Sequence, residues 1–260
     1  GAKRKTGALT DSLAETIGTN RLQNKAGYRC FIPMLSPPRA MSTPSPVSKL
    51  IETDADIKAG LKALIASDPR LKAVLAVAGE VPLRRRPGGI EGLMRAVIGQ
   101  QLSTASAEAI WLRLRAAYEP FHHTVLLRAR APKLQRLGLS GAKIRTLKAV
   151  ATAVHEGHVD FDALAKMPAD EAHALLTAIH GIGPWTSDIY LLSCVGHPDA
   201  WPAGDLALQE AAKLAFGLDA RPTGKEMGPL AEPWRPWRAV AARLLWSYYR
   251  VVKKRDPVPI

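Results

Sequence analysis

From about residue 50 onward, apolar residues recur at the three- and four-residue spacing of a buried helix face, and alternating strand-like runs with paired turns are absent. Ile57, Leu61, Leu64 and Ile65 share one face, and Thr53 or Asp54 supplies an N-cap. Residues 90–100 and 103–117 form two more helices, joined through Gly99, Gln100, Gln101 and Leu102, with Ser103 capping the second. Ser140 opens a helix that buries Ile144, Leu147, Val150 or Ala151, and Val154, and Gly157 stops it. Pro168, Asp170 and Glu171 start another, with the acids at the positive end of its dipole. A long helix starts near Pro236 and turns Trp237, Val240, Ala241, Leu244, Leu245 and Tyr248 inward. The pattern predicts an all-α fold of roughly a dozen short helices, with no internal repeat.

Residues 1–46 lack this periodicity. Their basic start and the Pro/Ser-rich SPPRAMSTPSP stretch predict a flexible arm, and Met41 is an alternative natural start. Lys and Arg number 36 against 23 Asp and Glu, a formal charge of +13, of which residues 1–40 contribute only +5. The folded part is therefore basic as well, which points to a polyanionic partner. Two cysteines, Cys30 and Cys194, exclude a disulfide scaffold and a four-Cys iron–sulfur cluster, and the seven histidines form no zinc pattern. A reducing cellular compartment and no membrane span are expected.

The segment 171–195 carries the densest signal. An Ala/Leu-rich helix ends at His180, the chain turns through Gly181, Ile182 and Gly183, and Pro184 begins a second helix at Trp185. Glycines let backbone approach a ligand closely, Ile182 plugs the crevice between the helices, and free amides at the second helix's N-terminus suit a phosphate. Gly-Ile-Gly alone is equally a tight helix–helix connection.

HGIGPWTS at His180–Ser187 resembles the helix-hairpin-helix of the HhH-GPD DNA glycosylase superfamily, and WPAGDLAL at Trp201–Leu208 follows where that family carries its catalytic aspartate. VIGQQLS at Val97–Ser103, LSGAKIR at Leu139–Arg145 and WRPWR at Trp234–Arg238 agree with motifs of the AlkA-type 3-methyladenine glycosylase II branch, in family order. The resemblance implies a two-lobed fold with a DNA cleft between the lobes. One lobe is residues 47–91 plus 201–260, the other residues 92–200.

By resemblance, Asp205 stabilises positive charge on the sugar during excision of a flipped base. Its own sequence context equally suits an N-cap. Trp185 and Trp246 correspond to tryptophans of the base pocket, though core aromatics are an equal reading of either. Ile189 and Leu206 stand where related enzymes often have tyrosines. Gly181, Ile182, Gly183 and Thr186 form the DNA-binding hairpin, and either Gln101 or Leu102 is the wedge that fills the gap left in the duplex. Lys143, Arg145 and Arg238 are candidate phosphate contacts, each equally a surface charge. The carbonyls of Thr177, Ile179 and Ile182 are a candidate seat for Na⁺ or K⁺, with no cofactor required. Bifunctional members place a lysine where this chain has Trp185, so a monofunctional enzyme using water is expected, acting as a monomer on damaged double-stranded DNA in the cytoplasm or nucleus. The alternative is a helix-hairpin-helix module that binds DNA without catalysis.

Overall fold

The computed structural model describes residues 49–254; the arm expected over residues 1–46 lies outside them, as does Cys30. The described residues are helical with no strand. In order they form α1 (Asp54–Ser67), α2 (Arg70–Ala78), α3 (Gly89–Gly99), α4 (Thr104–Ala117), α5 (His123–Arg128), α6 (Ala131–Arg136), α7 (Gly141–His155), α8 (Phe161–Leu164), α9 (Ala169–Thr177) and α10 (Pro184–Tyr190). A π-helical turn, Leu191–Val195, extends α10, and α11 (Leu206–Phe216), α12 (Gly224–Ala231), a 3-10 turn Glu232–Trp234 and α13 (Arg238–Lys253) complete the order.

Polar residues ahead of the apolar runs set the helix starts. Thr53 closes a capping box with Asp56, and Ser103 and Ser140 accept the backbone N–H groups of Ser106 and Lys143. Thr53, rather than Asp54, is the first cap. The expected inward face of α13 holds at Val240, Ala241, Leu244 and Leu245, but Tyr249 is the buried tyrosine and Tyr248 only partly so. A one-residue difference rotates a helical side chain by about 100°, enough to exchange the two.

The helices pack in two groups. α2, α11 and α1 lie against α13, through Leu71 and Val74 of α2 and Leu208, Ala211 and Ala212 of α11. α3 packs on α4, α7 and α10, while α5 and α6 lie on α7, and α9 lies on α10 and the π turn. Arg243 of α13 ties the groups together. Its buried guanidinium donates to the carbonyls of Leu83 at 2.9 Å, Leu192 at 2.9 Å and Ala239 at 3.1 Å.

Asp68, between α1 and α2, accepts both a two-point bond from Arg70 and the Trp234 indole N–H at 3.0 Å. The Arg70 bond, countered in part by burial, holds its carboxyl down at about 2.

Candidate active site

The hairpin is built from α9, the turn 178–183 and α10. Gly181 has φ +84°, and a Cβ there would fall 1.9 Å from the Thr146 hydroxyl of α7. Only glycine combines that backbone with so close an approach. Ile182 is buried as the plug, while Gly181 and His180 are exposed. The Ile182 N–H donates to the Ile179 carbonyl at 3.0 Å, and the Thr177 hydroxyl donates back to His173 at 2.8 Å. Asp188, inside the second hairpin helix, is buried and bonded to His173 at 2.7 Å, joining the two hairpin helices. Burial pushes its pKa up, and the bond to Asp188 pushes that of His173 up.

The loop leading to Asp205 is anchored on buried polar contacts. His197 bonds to the Met167 carbonyl at 3.2 Å, and burial lowers its pKa. Asp199 binds the Arg238 guanidinium at 2.7 and 2.9 Å and also contacts Arg235, and the Trp201 indole donates to the Met227 carbonyl at 3.1 Å. Asp205 then caps α11, accepting the Leu208 N–H at 2.9 Å on Oδ1. The same oxygen accepts the Trp246 indole N–H at 3.1 Å, and Oδ2 accepts that of Trp185 at 2.8 Å. Three N–H groups from three directions thus fix one partly exposed carboxylate.

Asp205 and Trp185 line a cavity of about 250 Å³. Its walls are α3 through Gly92, Arg95, Ala96 and Gly99, α4 through Ala107, Glu108 and Trp111, and the α10 face through Ile189, Ser193 and Cys194. Leu102 lies at its edge. The loop before α4 is held rigidly. Lys143 donates to the carbonyls of Ile98 at 2.7 Å and Gln100 at 2.8 Å, and the Gln100 amide donates to the Thr186 hydroxyl at 2.7 Å. Gln101 is exposed at the loop's tip with φ +57°, a left-handed conformation uncommon for a residue with a side chain.

Residues 94–236 match the HhH-GPD superfamily of base excision DNA repair proteins. The chain belongs to that superfamily. It is 33% identical over 233 residues to a probable bifunctional transcriptional activator/DNA repair enzyme AlkA of Mycobacterium tuberculosis, a match covering 84% of this chain and 45% of that protein. The chain therefore spans less than half the length of that relative. The solved structure of a DNA-3-methyladenine glycosidase from Bacillus halodurans matches with TM-score 0.68 at 30% identity, over 75% of this chain and 91% of that one. The Schizosaccharomyces pombe 3-methyladenine DNA glycosylase Mag1, in complex with abasic DNA, matches with TM-score 0.65 at 25% identity, over 78% and 100% of the two chains.

Within this HhH-GPD framework the structure gathers some of the sequence-derived site residues and separates others. Trp185, Ile189, Leu102 and Asp205 share the cavity. Trp246 is buried on α13 and meets Asp205 away from the cavity lining, and Leu206, 63% exposed, is also off it. The leucine heads a helix whose buried face begins at Leu208. Arg238 is buried in its bond to Asp199, so it is not on the surface a phosphate could reach. Lys143 is spent on two backbone carbonyls, and burial lowers its pKa. Arg145 is exposed. Cys194 is buried, with burial raising its thiol pKa, yet it also touches the cavity.

Sequence reasoning missed Arg86, Arg95, Glu108 and Trp111. The available signal was the spacing of Gly92, Arg95, Ala96 and Gly99, a helix face too small and polar to be core.

Proposed function

We propose that this protein is a DNA glycosylase of base excision repair that flips alkylated purines of the 3-methyladenine class into the cavity and hydrolyses their N-glycosidic bond. The observation that carries this reading is the Asp205 carboxylate, held by the indoles of Trp185 and Trp246 at the rim of that cavity. Breaking the bond leaves positive charge on the sugar while the electron pair departs with the base. A fixed carboxylate beside the sugar stabilises that charge without having to reorganise. A water oxygen then bonds to C1′ and releases a proton, leaving an abasic site. Trp185 gives an electron-poor base an indole face to stack on, worth about 0.5–2 kcal/mol.

Trp185 stands where bifunctional relatives carry a nucleophilic lysine, so the proposed enzyme has no lyase activity. The duplex is proposed to lie between the lobe of residues 47–91 plus 201–260 and that of residues 92–200, supported by the two groups of packed helices. In the hairpin of Gly181, Ile182, Gly183 and Thr186, the two glycines offer backbone amides to the phosphate backbone while buried Ile182 plugs the crevice and Thr186 holds Gln100, and Gln101 or Leu102 fills the gap in the stack. Gln101 fits the wedge better, because Lys143 and Gln100 brace the loop beneath it. No cofactor is proposed. Among the described residues no cluster of His, Cys, Asp or Glu suits a metal. The carbonyls of Thr177, Ile179 and Ile182 would suit Na⁺ or K⁺, since the bond from Ile182 leaves the Ile179 oxygen a second lone pair. The enzyme is proposed to work as a monomer in the compartment that holds the DNA; no described helix is long and apolar enough to cross a membrane.

Release of free bases from methylated duplex DNA tests this reading. The wild-type protein should release methylated purines, with strand breaks appearing only after alkali. Asp205→Asn should lower the rate at least about 100-fold while leaving DNA binding intact. A folded, DNA-binding wild type that released no base from methylated, deaminated or etheno-containing duplexes would instead mark a non-catalytic binding module.

A further inference from the structure

The cavity that Trp185 and Asp205 line also holds, in its α3 and α4 walls, an ion pair that excision chemistry does not require. Arg95 of α3 is bonded to Glu108 of α4, and both side chains line the cavity. The Arg95 guanidinium also lies over the buried Trp111 ring, 5.5 Å from its centroid. Arg115, itself bonded to Glu91 at 2.6 Å, lies 6.0 Å from the same centroid. Trp111 is braced edge-on by Phe121 at 5.3 Å. Arg95 is therefore oriented by an aromatic face and a carboxylate together. The pair is only partly covered, with 35% of the Arg95 side chain and 43% of the Glu108 side chain exposed.

A charge pair on a cavity wall gives up hydration and returns little stability by itself. It leaves acceptor lone pairs on Glu108 beside N–H donors on Arg95, an arrangement aimed at a ligand with a neighbouring donor and acceptor. The other polar side chains of the lining are Arg86, Ser193, whose hydroxyl donates to the Ile189 carbonyl, and Asp205, held by its two indoles, while Gly92, Ala96, Gly99 and Ala107 offer none.

Resting on the glycosylase reading, we infer that Arg95 and Glu108 form a base-edge recognition site for 6-oxopurines, with Arg95 donating to O6 and Glu108 accepting from N1–H. Arginine is the side chain that most often reads guanine O6, and a carboxylate accepts only from N–H donors. The pair thus favours hypoxanthine and 7-methylguanine over a base whose N1 and N6 are closed by an etheno bridge and carry no N–H donor.

Single-turnover excision from duplexes carrying hypoxanthine or ethenoadenine at the same position tests this. The expected result is a hypoxanthine-to-ethenoadenine rate ratio at least about tenfold lower in Glu108→Leu than in wild type, since leucine has no acceptor for N1–H and one base-edge contact typically discriminates by this much or more. Arg95→Leu, which has no donor for O6, should lower the ratio in the same direction, and affinity for abasic-site DNA should report whether each variant remains folded. A loss shared equally by both lesions, an unchanged ratio, or a wild type that removes ethenoadenine but not hypoxanthine would overturn the inference while leaving the glycosylase reading standing. A wild type that releases neither lesion nor any methylated purine would overturn both.

Discussion

Asp205 does two jobs with one side chain, and substitution can separate them. Its Oδ1 caps α11 through Leu208, while the carboxylate as a whole is held by two indoles against the cavity. Asparagine caps a helix about as well as aspartate, whereas alanine does not. Asp205→Asn should therefore unfold at nearly the wild-type denaturant midpoint despite losing base release. Asp205→Ala should lose release and, in addition, about 1 kcal/mol of stability in urea unfolding. Equal destabilisation by the two substitutions would mean that the carboxylate charge, rather than the cap, holds α11. The capping role was readable from PAGD followed by LALQ, because a cap is a local bond to the backbone three residues on. The two indole bonds were not, since they join Asp205 to residues 20 and 41 positions away.

At the scale of the element, the hairpin depends on one position. Alanine at Gly181 would have to accept φ +84° and displace Thr146, whose hydroxyl sits 1.9 Å from the new Cβ. The left-handed backbone alone costs about 1–3 kcal/mol, so Gly181→Ala should lower stability by at least that range in urea unfolding. Pairing it with Thr146→Ala should return the steric part but not the backbone part. Helix starts at Thr53, Ser103 and Ser140 were legible because caps are local, and so was the turn at 181–183. The π-helical continuation Leu191–Val195 and the short α2 were not. The first is set by packing against α3 and α9, and the second is too brief for its apolar period to stand out. Arg238 shows the same limit in reverse. Its motif was visible, but its burial against Asp199 depends on a loop 39 residues earlier.

Across the molecule, Asp68 fastens the first two helices to the 3-10 turn ahead of α13 through Trp234. Its carboxyl is held down at about 2, against an ordinary value of 3.8 in the unfolded chain. A depressed carboxyl stabilises the fold fully above the unfolded value, and that contribution is lost as pH falls through the folded one. Stability should therefore decline between about pH 4 and pH 2, and Asp68→Asn should flatten that part of the profile. An unchanged acid slope in the variant would show that other carboxyls govern acid unfolding. The all-α class, the order of the motifs and the basic charge were all legible in the sequence. The wall formed by α3 and α4 was not, because Arg95 and Glu108 meet across an intervening turn that periodicity does not describe.

Trp185 also gives the protein an optical property. Of six tryptophans, four are buried and Trp237 is half-buried, so Trp185 at 37% exposure is the one most open to solvent. Its ring lines the cavity while its N–H is held by Asp205. Anything that enters the cavity replaces water against this indole and meets the buried Trp111 in the same wall, whereas the other four tryptophans lie off the lining. The ultraviolet emission of the unlabelled protein therefore carries a signal dominated by a single site, and stopped-flow mixing with DNA can time base entry separately from bond cleavage.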